Sequence, residues 1–313
     1  MKKLAIVCTA LLIAAAFCTP VFAANHSLGA GLIAVGSSGN SANNNTGAGI
    51  TGYGNYNAAT GVGAVIWNGN GNQHVNYNTG AYVSGGFGNS ALGAGAVLWN
   101  SSGNINVNHN TGAQVDNTVG WGNTAIGAGA VVVNSSGNSS VSNNIGAWSY
   151  RSLDSEAYGV GAVVVGYGGN TVNENKGATV YKGVDLTAIG AGAIVVNNGG
   201  STVSNNTGAW VENGSGNSAL GVGAAVIIGG SNNVQRNTGA VVVSNGHENS
   251  AAGVGAVVYN GSSNTVTDSV GASVNGGSHN TALGAGSVIV NGSSNTADNN
   301  VGAYVYEGIP SQN

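Results

Sequence analysis

Apolar and polar residues alternate along short stretches of this chain, and the stretches recur at regular intervals. Residues 86–100 are typical and read GFGNSALGAGAVLWN. Alternation of period two between Gly, Asn and Ser turn residues is typical of β-strands. A sustained period of 3.6 residues is missing and glycine is frequent, so the sequence predicts no helix.

The alternating stretches belong to a long internal repeat that is anchored by Gly-x-Gly pairs. The first glycine of each pair is Gly29, Gly61, Gly93, Gly127, Gly159, Gly190, Gly221, Gly253 or Gly284. A second glycine, always followed directly by alanine, comes later in each unit, at Gly47, Gly80, Gly112, Gly146, Gly177, Gly208, Gly239, Gly271 and Gly302. The pairs recur at intervals of about 31–34 residues, and a regular period of this length is typical of stacked structural repeats.

We therefore expect an all-β fold, a β-solenoid of about nine strand-turn-strand-turn coils of about 31–34 residues each. Residues 24–313 are expected to form a single repeat domain. Its units are expected near 25–54, 55–88, 89–122, 123–156, 157–185, 186–216, 217–248, 249–279 and 280–308.

The first strand of each unit is apolar on both faces. Simple alternation places Leu92, Ala94, Ala96 and Leu98 on one face and Ala91, Val97 and Trp99 on the other. Such a strand is either buried on both sides or leaves an exposed patch suited to lateral association.

Asparagines fall into columns when the units are stacked. One column lies two positions before the second glycine and is expected inside a strand, as a ladder of hydrogen-bonded amides. This structural ladder contains Asn45, Asn78, Asn110, Asn144, Asn175, Asn206, Asn237 and Asn300, with Ser269 in the eighth unit. A turn ladder is expected where the first strand opens, at Asn89, Asn123, Asn217, Asn249 and Asn280. The alternative for each turn position is a simple turn-forming role.

The turns carry a short phrase that resembles a known family. Residues 86–91, 120–125 and 214–219 read Gly-Phe-Gly-Asn-Ser-Ala, Gly-Trp-Gly-Asn-Thr-Ala and Gly-Ser-Gly-Asn-Ser-Ala. This phrase is similar to the Gly-x-Gly-Asn-x-Ala core of curlin repeats. The resemblance implies a secreted bacterial subunit that stacks into amyloid fibres of a biofilm matrix. It also implies a nucleating minor subunit and an outer-membrane secretion system as partners. The glutamines that flank this core in curlins are missing, and the fourth residue after Ala91 is Gly95.

Residues 1–23 predict a secretory signal. Lys2 and Lys3 precede an apolar run, and Val21-Phe22-Ala23 fits a small-x-small cleavage site. Both cysteines, Cys8 and Cys18, lie in this segment, so we expect a mature extracellular or cell-surface chain without a disulfide. The later sequence has no apolar run long enough to predict membrane insertion.

Charge is scarce and weakly acidic. The chain has 6 basic and 10 acidic residues and a net charge of −4. No basic patch is present, which argues against a nucleic-acid partner. Carboxylates and histidines are scattered over different units, so we expect no enzymatic activity, no metal site and no cofactor.

One region departs from the repeat. Seven of the charged residues lie between Arg151 and Asp185. Five of them are possible gatekeepers that slow assembly, namely Arg151, Asp154, Glu156, Glu174 and Lys176. The alternative is a surface loop that has drifted from the repeat.

The sequence thus predicts a secreted, self-assembling subunit of an extracellular amyloid-like fibre or biofilm matrix, whose partner is itself. The alternative is a monomeric β-solenoid that binds a surface, ice or a glycan. Ice binding would need a regular threonine column, and the best candidate is interrupted by Ile145 and Lys176. A polysaccharide-acting enzyme is a third possibility that needs converging carboxylates.

Overall fold

The computed structural model describes most of the repeat region. The described residues are 26–35, 41–51, 57–70, 73–85, 88–102, 104–116, 122–134, 139–150, 156–166, 170–184, 186–197, 201–215, 218–229, 233–243, 250–261, 265–275, 281–290 and 296–306. The predicted signal peptide and its cleavage site lie outside them.

The chain folds into β-strands that stack as a parallel β-solenoid, which confirms the predicted all-β solenoid class. In chain order the strands are β1 (His26–Val35), β2 (Ser41–Asn43), β3 (Thr46–Thr51), β4 (Ala58–Asn70), β5 (Gln73–Asn76), β6 (Thr79–Ser84), β7 (Ser90–Ser102), β8 (Ile105–Asn108), β9 (Thr111–Asp116), β10 (Thr124–Asn134), β11 (Ser139–Ser142), β12 (Ile145–Tyr150), β13 (Glu156–Gly166), β14 (Asn170–Asn173), β15 (Lys176–Val184), β16 (Thr187–Asn197), β17 (Ser201–Ser204), β18 (Thr207–Ser215), β19 (Ser218–Gly229), β20 (Asn233–Gln235), β21 (Thr238–Val243), β22 (Ser250–Gly261), β23 (Thr265–Thr267), β24 (Val270–Asn275), β25 (Thr281–Val290), β26 (Thr296–Asp298) and β27 (Val301–Tyr306).

These strands form three parallel sheets. The long-strand sheet has the order β1-β4-β7-β10-β13-β16-β19-β22-β25. The short-strand sheet runs from β2 to β26 and the third-strand sheet from β3 to β27, each in steps of three strands. Each strand therefore pairs with the equivalent strand of the next repeat, as in Gly93↔Gly127.

The predicted strand-turn-strand-turn coil was wrong in one respect, because each repeat supplies three strands rather than two. The expected second strand is divided by a corner, for example between β11 and β12. A residue with positive φ makes this corner, such as Asn143 with φ of 56°. Period-two alternation continues on both sides of the corner, so the sequence pattern does not reveal it.

The long strand does not keep simple alternation. In β7 the side chains of Ala91, Ala96 and Leu98 are buried, whereas Leu92 and Val97 are partly exposed. Two consecutive residues, Gly95 and Ala96, are thus buried, and pairing with β10 passes from Ala94 to Ala96 without a pair at Gly95. The predicted face of Leu92, Ala94, Ala96 and Leu98 was therefore wrong, because the strand changes phase at its second glycine.

This change of phase gives the solenoid two narrow cores. The carboxyl-terminal half of the long strand packs on the short-strand sheet, as Leu98 does with Val107. The amino-terminal half packs on the third-strand sheet, as Ala91 does with Val115. Most residues in both cores are alanine or valine, so the coil is thin.

Between the two cores the long-strand and third-strand sheets touch backbone to backbone. A Cβ atom added at Gly146 would lie less than 3.0 Å from both the carbonyl oxygen of Gly177 and the amide nitrogen of Val160. Distances this short are forbidden to any side chain, and both close atoms belong to the backbone. The second glycine of each repeat is therefore required by close approach of two sheets.

We expect Gly146→Ala to destabilise the solenoid strongly, by more than about 3 kcal/mol, because no flexible side chain can move aside. The matched control is Gly49→Ala, where the nearest atom to an added Cβ is the Thr46 Cγ2 at 3.9 Å. Urea unfolding followed by circular dichroism measures both variants. Equal stabilities would contradict the close approach of the two sheets.

Candidate functional site

The structural ladder lies at the corner between the short strand and the third strand. Asn144, for example, follows Asn143 and precedes β12, outside either strand. The expectation that this column lies inside a strand was therefore wrong. The side chain of Asn144 is nevertheless fully buried. Its Cβ atom lies so close to Gly129 that a Cβ atom added to this glycine would be only 2.9 Å from it. The second glycine of the Gly-x-Gly pair thus makes room for the ladder.

Each internal ladder amide uses all its hydrogen-bonding capacity. Asn144 Oδ1 accepts from the backbone N–H and the Nδ2 of Asn110, both at 3.0 Å. Asn144 Nδ2 donates to Ser142 O at 2.9 Å, to Val107 O at 3.2 Å and to Asn175 Oδ1 at 2.9 Å. Its backbone N–H donates to the same Asn175 Oδ1 at 3.0 Å. A buried amide with this many partners stabilises the stack, because each of its polar atoms has a hydrogen-bond partner in the protein.

The same pattern continues along the column. Equivalent amide-to-amide bonds link Asn45 to Asn78, Asn78 to Asn110, Asn110 to Asn144, Asn144 to Asn175, Asn175 to Asn206 and Asn206 to Asn237. Ser269 weakens one step, because the backbone N–H of Asn237 reaches its Oγ only at 3.5 Å. The ladder resumes where the Ser269 N–H donates to Asn300 Oδ1 at 3.0 Å.

The ladder has a direction. In all eight members before Asn300 the backbone N–H donates to the side-chain oxygen of the following coil. Among the described residues the column therefore begins with the acceptor Asn45 Oδ1. In the same part of the chain it ends with the backbone N–H of Asn300. The two ends have complementary hydrogen-bonding character.

The last coil exposes its core. Ala297 and Ala303 are exposed, although they occupy columns that are otherwise buried. The equivalent residues in the preceding coil, Val266 and Ala272, have no exposed area, and Ala42 and Ala48 of the first coil are also buried. Both core columns are therefore open to solvent at the β25–β27 end.

The turn ladder is present in the first part of the chain. Asn89 and Asn123 are buried, and the Asn89 N–H donates to Asn123 Oδ1 at 3.1 Å. The ladder also includes Asn57, whose N–H and Nδ2 both donate to Asn89 Oδ1 at 3.1 and 3.0 Å. The sequence interpretation missed Asn57, although it stands four positions before Gly61 as Asn89 stands before Gly93. Leu186 takes the equivalent backbone position later in the chain, while Asn217, Asn249 and Asn280 lie outside the described residues.

Three of the five predicted gatekeepers belong to the residues that the structure describes. Glu156 is exposed at the start of β13, Glu174 is an exposed corner residue, and the Lys176 Nζ lies 5.0 Å from the centre of the Trp210 ring. Arg151 and Asp154 lie outside the described residues. Burial raises the pKa of Tyr158 above its usual value of 10.0, and a hydrogen bond and the negative charge of Glu156 raise this pKa further.

Among the described residues, nine at the corners share a left-handed backbone conformation without being glycine. Their φ values lie between 51° and 57°, and the residues are Asn44, Tyr77, His109, Asn143, Glu174, Asn205, Arg236, Asp268 and Asn299. Their side chains vary widely, and the rings of Tyr77 and His109 stack at 4.8 Å. The backbone at the corner is thus fixed while its side chain is free to change.

Aromatic side chains gather on the third-strand sheet near its centre. Tyr150 and Tyr181 stack with ring centres 5.2 Å apart, and Trp148 meets Tyr150 edge-on at 6.4 Å. With Trp210, which is paired to Thr179 in register, they form a partly exposed aromatic cluster.

The described residues contain no group of three histidine, cysteine or acidic side chains that could hold a metal ion. Nor does any helix long and apolar enough to cross a membrane occur in that part of the chain. Neither family models, nor curated proteins, nor solved structures give a match to this sequence.

We expect Asn144→Ala to lower the free energy of unfolding by about 2–4 kcal/mol, because both donors of Asn110 lose their acceptor in a buried site. Asn144→Ser, which copies Ser269, should lose less, because a hydroxyl still offers an acceptor. Chemical denaturation of the two variants beside the unchanged chain gives the comparison. If alanine and serine destabilise equally, the ladder bonds contribute little.

Proposed function

We propose that this protein is a secreted structural subunit that polymerises end to end into an extracellular amyloid-like fibre or biofilm matrix. The proposed subunit is a rod of nine coils, about 40 Å long from the strand spacing. Growth occurs when the first coil of one subunit stacks on the last coil of another. The observation that carries the proposal is the complementarity of the two ends.

The strands at the two ends match in length. The first coil has strands of 10, 3 and 6 residues, β1, β2 and β3, and the last coil has strands of the same lengths, β25, β26 and β27. A second copy of β1 can therefore continue the register that β25 holds with β22, with glycine opposite glycine. Exposed parallel strand edges are suited to this addition, because their N–H and C=O groups on one side lack partners.

The side chains at the junction also match. The N–H of Asn300 in one subunit would donate to Asn45 Oδ1 of the next, which repeats the bond that eight ladder members already make inside the chain. Ala42 and Ala48 of the incoming coil would cover the exposed Ala297 and Ala303. Apolar burial and the ladder then favour the same register.

We expect the double variant Ala297→Lys/Ala303→Lys to remain folded and to stop elongation. Both alanines are exposed in the subunit, so lysine can reach solvent, but a second coil would bury the two charges. The matched control is Thr171→Lys/Asn233→Lys, at exposed positions on the outer side of the short-strand sheet. Amyloid-dye fluorescence and electron microscopy of residues 24–313 measure elongation from added seeds.

Fibres from the control and none from the end variant would support end-to-end growth. Equal elongation by both variants would contradict it, and so would a chain that stays monomeric at high concentration.

A stable monomer would favour the alternative, a β-solenoid that binds a surface, ice or a glycan. For a glycan, the partly exposed cluster of Trp148, Tyr150, Tyr181 and Trp210 is the place to test, because aromatic rings offer broad apolar contact with a polar edge.

The charges of the central coils are proposed to slow assembly. Glu174 stands where the neighbouring repeats have Asn143 and Asn205, and Lys176 stands where the next two repeats have Thr207 and Thr238. We expect Glu156→Thr/Glu174→Asn/Lys176→Thr to shorten the lag before fibre growth, because charges beside apolar strands oppose association of these strands while the chain is not yet folded. The unseeded lag time measures this, and an unchanged lag would identify the region as a drifted surface segment.

A further inference from the structure

The outer side of the long-strand sheet is largely apolar and is open to solvent over most of its strands. Three columns of this sheet, which begin at Leu28, Ala30 and Ile33, have side chains directed away from both cores. We call these three columns the outer apolar face. Its members are Leu28, Thr60, Leu92, Ile126, Tyr158, Ile189, Leu220, Ala252 and Leu283 in the first column, Ala30, Val62, Ala94, Ala128, Val160, Ala191, Val222, Val254 and Ala285 in the second, and Ile33, Val65, Val97, Val131, Val163, Ile194, Ala225, Val257 and Val288 in the third.

Much of this face is open to solvent. Leu220 is 50% exposed and Leu283 is 70% exposed, while Thr60 and Val62 are buried. No member of the three columns is charged. Large apolar surfaces of this kind on a rigid sheet mark interaction sites.

The face has relief that repeats from strand to strand. The second column contains only alanine and valine and forms a valley beside the first column, whose side chains are mostly leucine, isoleucine or tyrosine. Ala252 interrupts the first column between Leu220 and Leu283, and there the valley widens into a groove. The ridge and the valley run along the solenoid axis, and their side chains recur about every 4.8 Å, once per strand.

This period selects the partner. A second copy of the chain presents the same ridges at the same spacing, so its side chains can interdigitate over the whole length of the rod. A partner without the period would lose register after a few strands. A lipid surface is disfavoured, because membrane-bound apolar faces are usually rimmed by lysine and arginine, and the polar column beside this face carries Ser90, Thr124, Glu156, Ser218 and Ser250.

The area is sufficient for a stable contact. Nine strands span about 38 Å, and the three columns with their side chains span about 20 Å, which gives roughly 800 Å². Stable protein interfaces bury about 800 Å² on each partner. End-to-end growth would extend the face without interruption, so that lateral contacts add along the fibre.

We propose that the outer apolar face binds the same face of a second copy, sheet against sheet at the usual spacing of about 10 Å, so that fibres consist of paired stacks. The pairing of stacks rests on the proposed function, whereas the pairing of single subunits does not. Like-charged residues are missing from the face, so two identical faces meet without repulsion.

The test is the double variant Leu220→Lys/Leu283→Lys, which places two charges on the face, two strands apart. Both side chains are exposed in the subunit, so the fold should tolerate lysine. The matched control is again Thr171→Lys/Asn233→Lys, with two charges two strands apart on another sheet. Scanning transmission electron microscopy measures mass per length of the fibres, and analytical ultracentrifugation measures dimerisation of the end-blocked Ala297→Lys/Ala303→Lys chain.

We expect the face variant to elongate as fast as the control, with half its mass per length, and to raise the dimer dissociation constant of the end-blocked chain at least tenfold. Single stacks in the unchanged chain, or equal mass per length in the two variants, would overturn the pairing. If no fibre forms, a side-by-side dimer that Leu220→Lys/Leu283→Lys abolishes still supports the inference, and only the proposed function fails. An end-blocked chain that stays monomeric while it binds phosphatidylcholine vesicles would overturn the inference in favour of a lipid surface.

Discussion

The backbone contact between the long-strand and third-strand sheets is the constraint on which the other features depend. Because a Cβ at Gly146 would lie less than 3.0 Å from backbone atoms of both sheets, nothing larger than glycine fits there. The contact divides the interior into two thin cores, and thin cores accept alanine and valine more readily than larger residues. It also fixes how the long-strand and third-strand sheets are aligned, since sheets in backbone contact have little freedom to slide past each other.

The asparagine ladder depends on this arrangement and adds what apolar packing lacks, which is direction. Alanine and valine columns are nearly the same when one strand slips by two positions, so their packing specifies register weakly. Each ladder amide binds both neighbouring coils through atoms at fixed positions, and a slip would leave buried donors and acceptors unpaired. The glycine contact sets the spacing between the sheets, and the ladder sets the order of the coils.

Much of the fold can be predicted from the sequence, because a repeat aligned on glycine also aligns the strands. The pairing Gly93↔Gly127 follows directly from the spacing of the Gly-x-Gly pairs. Two features could not be predicted. The corner at Asn143 leaves the apolar alternation undisturbed, and the change of phase at Gly95 and Ala96 arises from a backbone irregularity that no side chain signals. The ladder columns were visible as repeated asparagines, but Asn57 was missed because in its unit the Gly-x-Gly-Asn phrase ends two residues earlier, at Asn55, and not at the ladder position.

The left-handed corner has a consequence for how this chain can vary. At nine places in the described part of the chain a residue other than glycine holds a φ between 51° and 57°, a conformation that costs an isolated residue about 1–2 kcal/mol. The buried amide that follows holds the corner in place through bonds to neighbouring coils, so the conformation does not depend on which side chain the corner residue carries. Asparagine, tyrosine, histidine, glutamate and arginine all occupy it. The solenoid thus carries an evenly spaced row of sites, about 4.8 Å apart, where substitution can change the chemistry of the surface without changing the fold.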